Sequence, residues 1–198
     1  MRNGSPIRAT ALAAVLLGLA GCASPTDCCS EPERAAPAAR APDSDAERLA
    51  AALVDADAAF ARGDKARLTE ALRRFDALGG KPLDEASPEL ARWRAAAAQE
   101  PPLRGPALGP GYRSGQLPAG RSEQLEQVFL SGKRASVALS APSGARLKLE
   151  VEDRSEEAVC GKEGNPNHCQ WVPLFTDRYR IRINNPGATS VRYFLVVG

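Results

Sequence analysis

From about residue 121 onward, apolar residues recur at every second position, a period that admits strands and excludes long helices. Residues 146–152 alternate cleanly: Leu147, Leu149 and Val151 share one face, and Lys148, Glu150 and Glu152 share the other. Residues 178–183 repeat the pattern with Tyr179, Ile181 and Ile183 inward, and Val191, Tyr193, Leu195 and Val197 close the chain in the same way. Shorter strands are expected at 127–130 and 135–140. Ser131-Gly132, Pro142-Ser143-Gly144 and Asn185-Pro186-Gly187 supply the turns. Short alternating strands separated by turn signals point to an antiparallel β-sandwich over 121–198.

Upstream the period changes. Ser44 with Glu47 forms a capping box, and Leu49, Leu53, Ala56 and Phe60 follow at helical spacing. Gly63 ends that helix, and Asp64 caps a second carrying Leu68, Leu72, Phe75 and Leu78. A third is expected from Ser87-Pro88, with Leu90, Trp93 and Ala97 on its apolar side. Residues 44–99 thus read as a small antiparallel helical bundle. The whole chain reads as α+β, helices first and sandwich second. Between them, residues 100–120 carry five prolines and five glycines. That density predicts a linker and a domain boundary near 105–120.

The first residues read as an export signal. Arg2 and Arg8 precede an apolar run from Ala9 to Ala20. That run is shorter than the roughly 20 residues needed to cross a bilayer. The tetrapeptide Leu19-Ala20-Gly21-Cys22 resembles the bacterial lipobox. The resemblance implies a lipid on the Cys22 thiol, cleavage of residues 1–21 and acylation of the new amine. Several acyl chains hold firmly where one holds marginally, since each buried CH₂ contributes about 0.8 kcal/mol. Ala23 lacks the aspartate typical of inner-membrane retention, which in a Gram-negative host implies the periplasmic side of the outer membrane. Residues 22–43, rich in Pro, Ala and Ser, are expected to be a disordered tether. Within it, the adjacent Cys28 and Cys29 are either idle thiols or a link to another chain. Without Arg2 and Arg8, the bases equal the 24 acids in number. That balance argues against a nucleic-acid partner.

The residues Cys169-Gln170-Trp171-Val172-Pro173, Thr176, Tyr179–Asn185, Gly187 and Tyr193-Phe194-Leu195 resemble the bacterial pre-peptidase C-terminal family over about 121–198. That resemblance implies a β-sandwich that accompanies secreted enzymes as a noncatalytic module. The Asp-Leu-Asp strand start frequent in the family is absent, and with it the expectation of a calcium role.

Cys160 and Cys169 bracket the polar loop 161–168, and in an exported domain they are expected to form a disulfide clamping it. The rival is a metal site from Cys160, His168 and Cys169, which lacks an evident fourth ligand. His168 is the single histidine, so any Ser-His or Cys-His mechanism would have to use it. It reads instead as a solvated loop residue, with Glu156-Glu157 and Asp84-Glu85 as surface turns. No phosphate loop, dinucleotide glycine pattern or nucleophile elbow occurs, so no cofactor or catalytic residue is assigned.

Arg178, Arg180 and Arg182 share one face of one strand, and Arg192 has the parity to join them. Two readings stand: Glu150 and Glu152 neutralise them, or they form an anion-binding face for peptidoglycan, lipid phosphate or an acidic protein patch. Trp171 and Tyr179 flank such a face or pack in the core. The function expected is that of a lipid-anchored envelope protein with a noncatalytic sandwich contacting a protein partner or cell-wall polymer. The alternatives are an accessory or inhibitor subunit docking through 160–169, and an unrecognised hydrolase using Glu156 or His168.

Overall fold

A computed structural model describes residues 43–83, 88–99 and 109–198. The leader, Cys22, Cys28, Cys29, Asp84-Glu85 and most of the tether lie outside those residues. The chain divides into two units, Met1–Ala39 and Arg40–Gly198. All of the described residues belong to the second.

The helices begin and end where local chemistry dictates. The Ser44 hydroxyl accepts the Glu47 N–H at 3.1 Å, and the Glu47 carboxylate accepts the Ser44 N–H, also at 3.1 Å. This capping box opens α1 (Asp45–Arg62), which Gly63 closes in the left-handed region at φ 67°. Asp64 caps α2 (Lys65–Ala77) by accepting the Arg67 N–H. A two-residue strand β1 (Lys81–Pro82) precedes α3 (Pro88–Ala97). Leu49, Leu53, Ala56, Leu68, Leu72, Phe75 and Trp93 are buried as their spacing predicts, but Phe60 is 38% exposed and Ala59 takes the inward position.

Among the described residues, eight longer strands make two sheets. They are β2 (Gly111–Leu117), β3 (Ser122–Phe129), β4 (Ala135–Ser140), β5 (Leu147–Glu152), β6 (Ala158–Gly164), β7 (Asn167–Trp171), β8 (Asp177–Asn184) and β9 (Val191–Val197). One sheet runs β1-β2-β9-β4-β7 and the other β3-β8-β5-β6. Every pairing is antiparallel except β1 with β2. The α+β class is therefore as the sequence indicates, with helices followed by a β-sandwich.

Two cores flank the first sheet. Between the sheets, Val137, Leu139, Tyr193 and Leu195 meet Leu147, Leu149, Val151, Ile181 and Ile183. On its other side, Tyr112, Ala138, Phe194 and Val196 meet the apolar stripes of the helices. Trp93 lies against Phe194, ring centroids 6.1 Å apart, and Phe75 meets Tyr112 edge-on at 5.5 Å. The helices thus pack on the sandwich as a third layer.

Three expectations need correction. Residues 111–117, expected within a linker, form β2, which pairs along its whole length with β9. The described prolines of that segment, Pro110 and Pro118, fall just outside the strand. Gly115 serves packing, because a Cβ there would lie 2.8 Å from the Tyr193 ring. The strand expected at 127–130 starts at Ser122. Its pattern is weak because Glu123 turns inward, where it accepts the Tyr193 hydroxyl at 2.7 Å and pairs with Arg113 at 3.1 Å. The polar loop 161–168 is mostly strand, β6 and β7. Its asparagines replace missing backbone partners: Asn165 bonds both the N–H and the carbonyl of Ala141, and Asn167 donates to the Leu147 carbonyl.

Candidate binding surfaces

Strand β8 lies between β3 and β5, and its outward residues carry the arginines. Arg178 pairs with Glu126 of β3 at 2.9 Å. Arg180 reaches Glu152 at 3.3 Å and Glu156 at 3.1 Å, and Arg182 reaches Glu152 at 3.5 Å and Glu150 at 4.0 Å. Lys148 closes the ladder on Glu150 at 2.6 Å. The hydrogen bond to Glu156 raises the Arg180 guanidinium above its ordinary value, and the one to Glu150 does the same for the Lys148 ammonium. The face is therefore a cross-strand array of matched charges, with Glu150 and Glu152 neutralising Arg180 and Arg182, and Glu126 neutralising Arg178.

At the end of this array lies a notch of about 450 Å³, lined by Glu126, Asp153, Arg154, Asp177, Arg178, Tyr179 and Arg180. Asp153 shapes its wall by accepting the N–H groups of Ser155 and Glu157. Arg154 is exposed there. The notch presents charges of both signs, which suits a ligand that itself carries amines and carboxylates.

Arg192 does not join this face. Its strand β9 belongs to the other sheet, and its side chain turns toward the helices. There it pairs with Asp57 of α1 at 3.3 Å and Glu89 of α3 at 3.9 Å, and lies over the Phe194 ring. Parity along a strand gave the orientation, but only pairing could tell which sheet it belongs to. Glu89 is buried and accepts the Ser114 hydroxyl, so this cluster ties both helices to the sheet. Trp171 and Tyr179 pack with Phe129 at the end of the inter-sheet core, centroids 4.8–5.6 Å apart.

Cys160 on β6 and Cys169 on β7 are joined by a disulfide. Since β6 and β7 are the edge strands of opposite sheets, the bond staples the sandwich along one side. Both sulfurs are thereby withdrawn from metal binding, and among the described residues no cluster of His, Cys, Asp and Glu could hold an ion. His168 projects from the other face of β7 onto the start of α1, not into solvent. Its Nδ1 is 3.3 Å from Glu47 Oε1, and its Nε2 is 3.3 Å from Ser44 Oγ. Those three side chains stand in the order of a hydrolytic triad, but Ser44 and Glu47 are committed to the helix cap. The histidine docks that cap on the sheet.

One surface has no counterpart among the sequence-based expectations. The β3–β4 loop (130–134) and the β7–β8 loop (172–176) meet at one end of the sandwich. Ser131 N–H donates to Thr176 Oγ1 at 3.0 Å, its hydroxyl donates to the Leu174 carbonyl at 2.7 Å, and Gly132 N–H donates to the Pro173 carbonyl at 2.9 Å. These bonds hold up an apolar tip: Leu174 is 82% exposed, Phe175 78%, Leu130 58% and Val172 56%. The signal in the sequence is the unalternating run Val172-Pro173-Leu174-Phe175, which fits neither strand nor polar loop.

No family model matches the chain, and no curated protein matches it. Solved structures to which the chain shows some similarity include the pre-peptidase C-terminal domain of the Bacillus anthracis collagenase. It is 14% identical over 44% of this chain and 87% of that one, with a TM-score of 0.40. The Aeromonas hydrophila protein PliG, a periplasmic inhibitor of g-type lysozyme, is 14% identical over 60% of this chain and 94% of its own, also at 0.40. A Yersinia pseudotuberculosis-derived mitogen is 10% identical over 45% and 84% of the two chains, again at 0.40.

Proposed function

We propose that the chain is a lipid-anchored cell-envelope protein whose sandwich is a noncatalytic binding module, contacting a protein partner or the peptide-bearing polymer of the cell wall. The anchor is Cys22, after removal of residues 1–21, on the periplasmic side of an outer membrane. The observation that carries the binding reading is the notch bounded by Arg154, Arg178 and Arg180 and by Glu126, Asp153 and Asp177. Stem peptides and protein surfaces both offer the mixed charges it would match. The disulfide supports location outside the cytoplasm, because such bonds persist in oxidising compartments.

Two experiments test this. Cys22→Ser should abolish lipid attachment and leave residues 1–21 uncut, read by mass and by metabolic acyl labelling; unchanged labelling would refute the anchor. In pulldowns from envelope extract, Arg154→Ser with Arg178→Ser should release the retained partner. Arg146→Ser, which breaks an exposed pair with Glu163 on the same sheet, should not. Retention by all variants alike would refute the notch.

The second reading, an accessory or inhibitor subunit, is supported by the edge of β6, where Val159, Lys162 and Glu163 are exposed beside the disulfide. It predicts recovery of a single enzyme. A hydrolase using Glu156 or His168 has less support, since Glu156 accepts from Arg180 and His168 is held at the α1 cap.

A further inference from the structure

The apolar tip has an occupant that the geometry indicates. The described body begins at Asp43, and a groove of about 710 Å³ is lined by Asp43, Ser44 and Arg48 together with Leu130, Arg134 and Gln170. The start of α1 therefore lies at the end that bears the tip. Gln170 is two residues from Val172, a rise of roughly 7 Å along extended backbone. The tip then belongs to the part of the body that a Cys22 anchor would hold nearest the bilayer.

The chemistry of the tip agrees. Leu174 and Phe175 stand out on loops pinned by three hydrogen bonds, so they project as a rigid convex knob and not as a groove awaiting a partner's side chain. Lys133 and Arg134 beside them are exposed and enter no ion pair among the described residues. Asp43 and Asp45 line the groove with Arg134 without pairing with it, and Asp177 has a carboxylate oxygen accepting the backbone N–H of Arg178. An apolar crown with unpaired cations at its rim is complementary to the boundary between anionic headgroups and acyl chains.

We propose that Leu130, Val172, Leu174 and Phe175 form a membrane-contact tip that seats the sandwich on an anionic bilayer. The notch and the outer face of the β3-β8-β5-β6 sheet are left free for the partner. This rests on the lipid-anchored reading, and its test is made independent of Cys22. Residues 40–198 form a compact unit with two cores of their own. That unit, given an N-terminal cysteine, is coupled to maleimide lipid in vesicles of phosphatidylglycerol and phosphatidylethanolamine. Phe175→Trp places a reporter on the tip. The expected result is a blue shift of the added emission on vesicles and its loss to brominated acyl chains. Adding Leu174→Asp should abolish both, and both should weaken in phosphatidylcholine. Emission unchanged from that in buffer, on vesicles shown to carry the protein, would overturn the proposal. So would a blue shift that appears only when a soluble envelope protein is added. Failure of Cys22 labelling with a positive tip result would refute the native anchor and leave the tip standing.

Discussion

Asp57 is held where ionisation is unfavourable. Burial raises its pKa above the ordinary carboxylate range; Arg192 draws it back, Glu89 pushes it further up, and Arg92 offsets part of that. A carboxyl raised on folding binds its proton more tightly in the folded state. Its contribution to stability is greatest at low pH and falls as pH rises from the unfolded value through the raised one. Asp57→Asn should remove that fall. In urea unfolding, wild type should lose ground to the variant as pH rises above about 4, the unfolded carboxylate value. An unchanged difference would mean that Arg192 fully compensates. At this scale the sequence was partly legible. Ser44 with Glu47 announced the cap, and Glu150 and Glu152 announced the neutralising partners of Arg180 and Arg182. What was not legible was the role of His168 and Arg192, because each is defined by a helix brought over it from more than a hundred positions away.

Among the elements, β7 and α3 each carry one strong fastening that can be cut. Replacing Cys160 and Cys169 together by serine frees the edges of both sheets and restores the entropy of a short loop to the unfolded chain. The cost should be about 2–3 kcal/mol by denaturant titration, and a loss under a few tenths would show that β6 and β7 are held by their neighbours alone. Trp93 is the largest buried side chain of α3. Trp93→Ala should cost about 3–5 kcal/mol and lower the helical signal before the strand signal on heating. Strands β5 and β8 were readable because each alternates without interruption, and β9 because its apolar run closes on β-branched and aromatic residues. β2 was hidden by flanking prolines and by a glycine present for the sake of Tyr193. β6 and β7 were hidden because their asparagines and glycines look like turn residues until Ala141 and Leu147 are seen accepting and supplying their hydrogen bonds.

At the scale of the whole molecule, the sheet β1-β2-β9-β4-β7 is covered on both faces. Strand β4 has no exposed residue, and β9 sends Tyr193 and Leu195 one way and Phe194 and Val196 the other. Residues 109–198 alone would present Tyr112, Ala138, Phe194 and Val196 to water, a patch that promotes association. Such a fragment should elute as aggregate and bind a hydrophobic dye, whereas residues 40–198 should do neither. A well-behaved fragment would show the helices to be dispensable. The shared sheet also bears on how the protein can be inherited or re-engineered. A sandwich with one wet face can be moved between genes as a cassette, but here the smallest transferable piece includes the helices, so recombination that cuts near the proline-rich stretch yields two halves that cannot live apart.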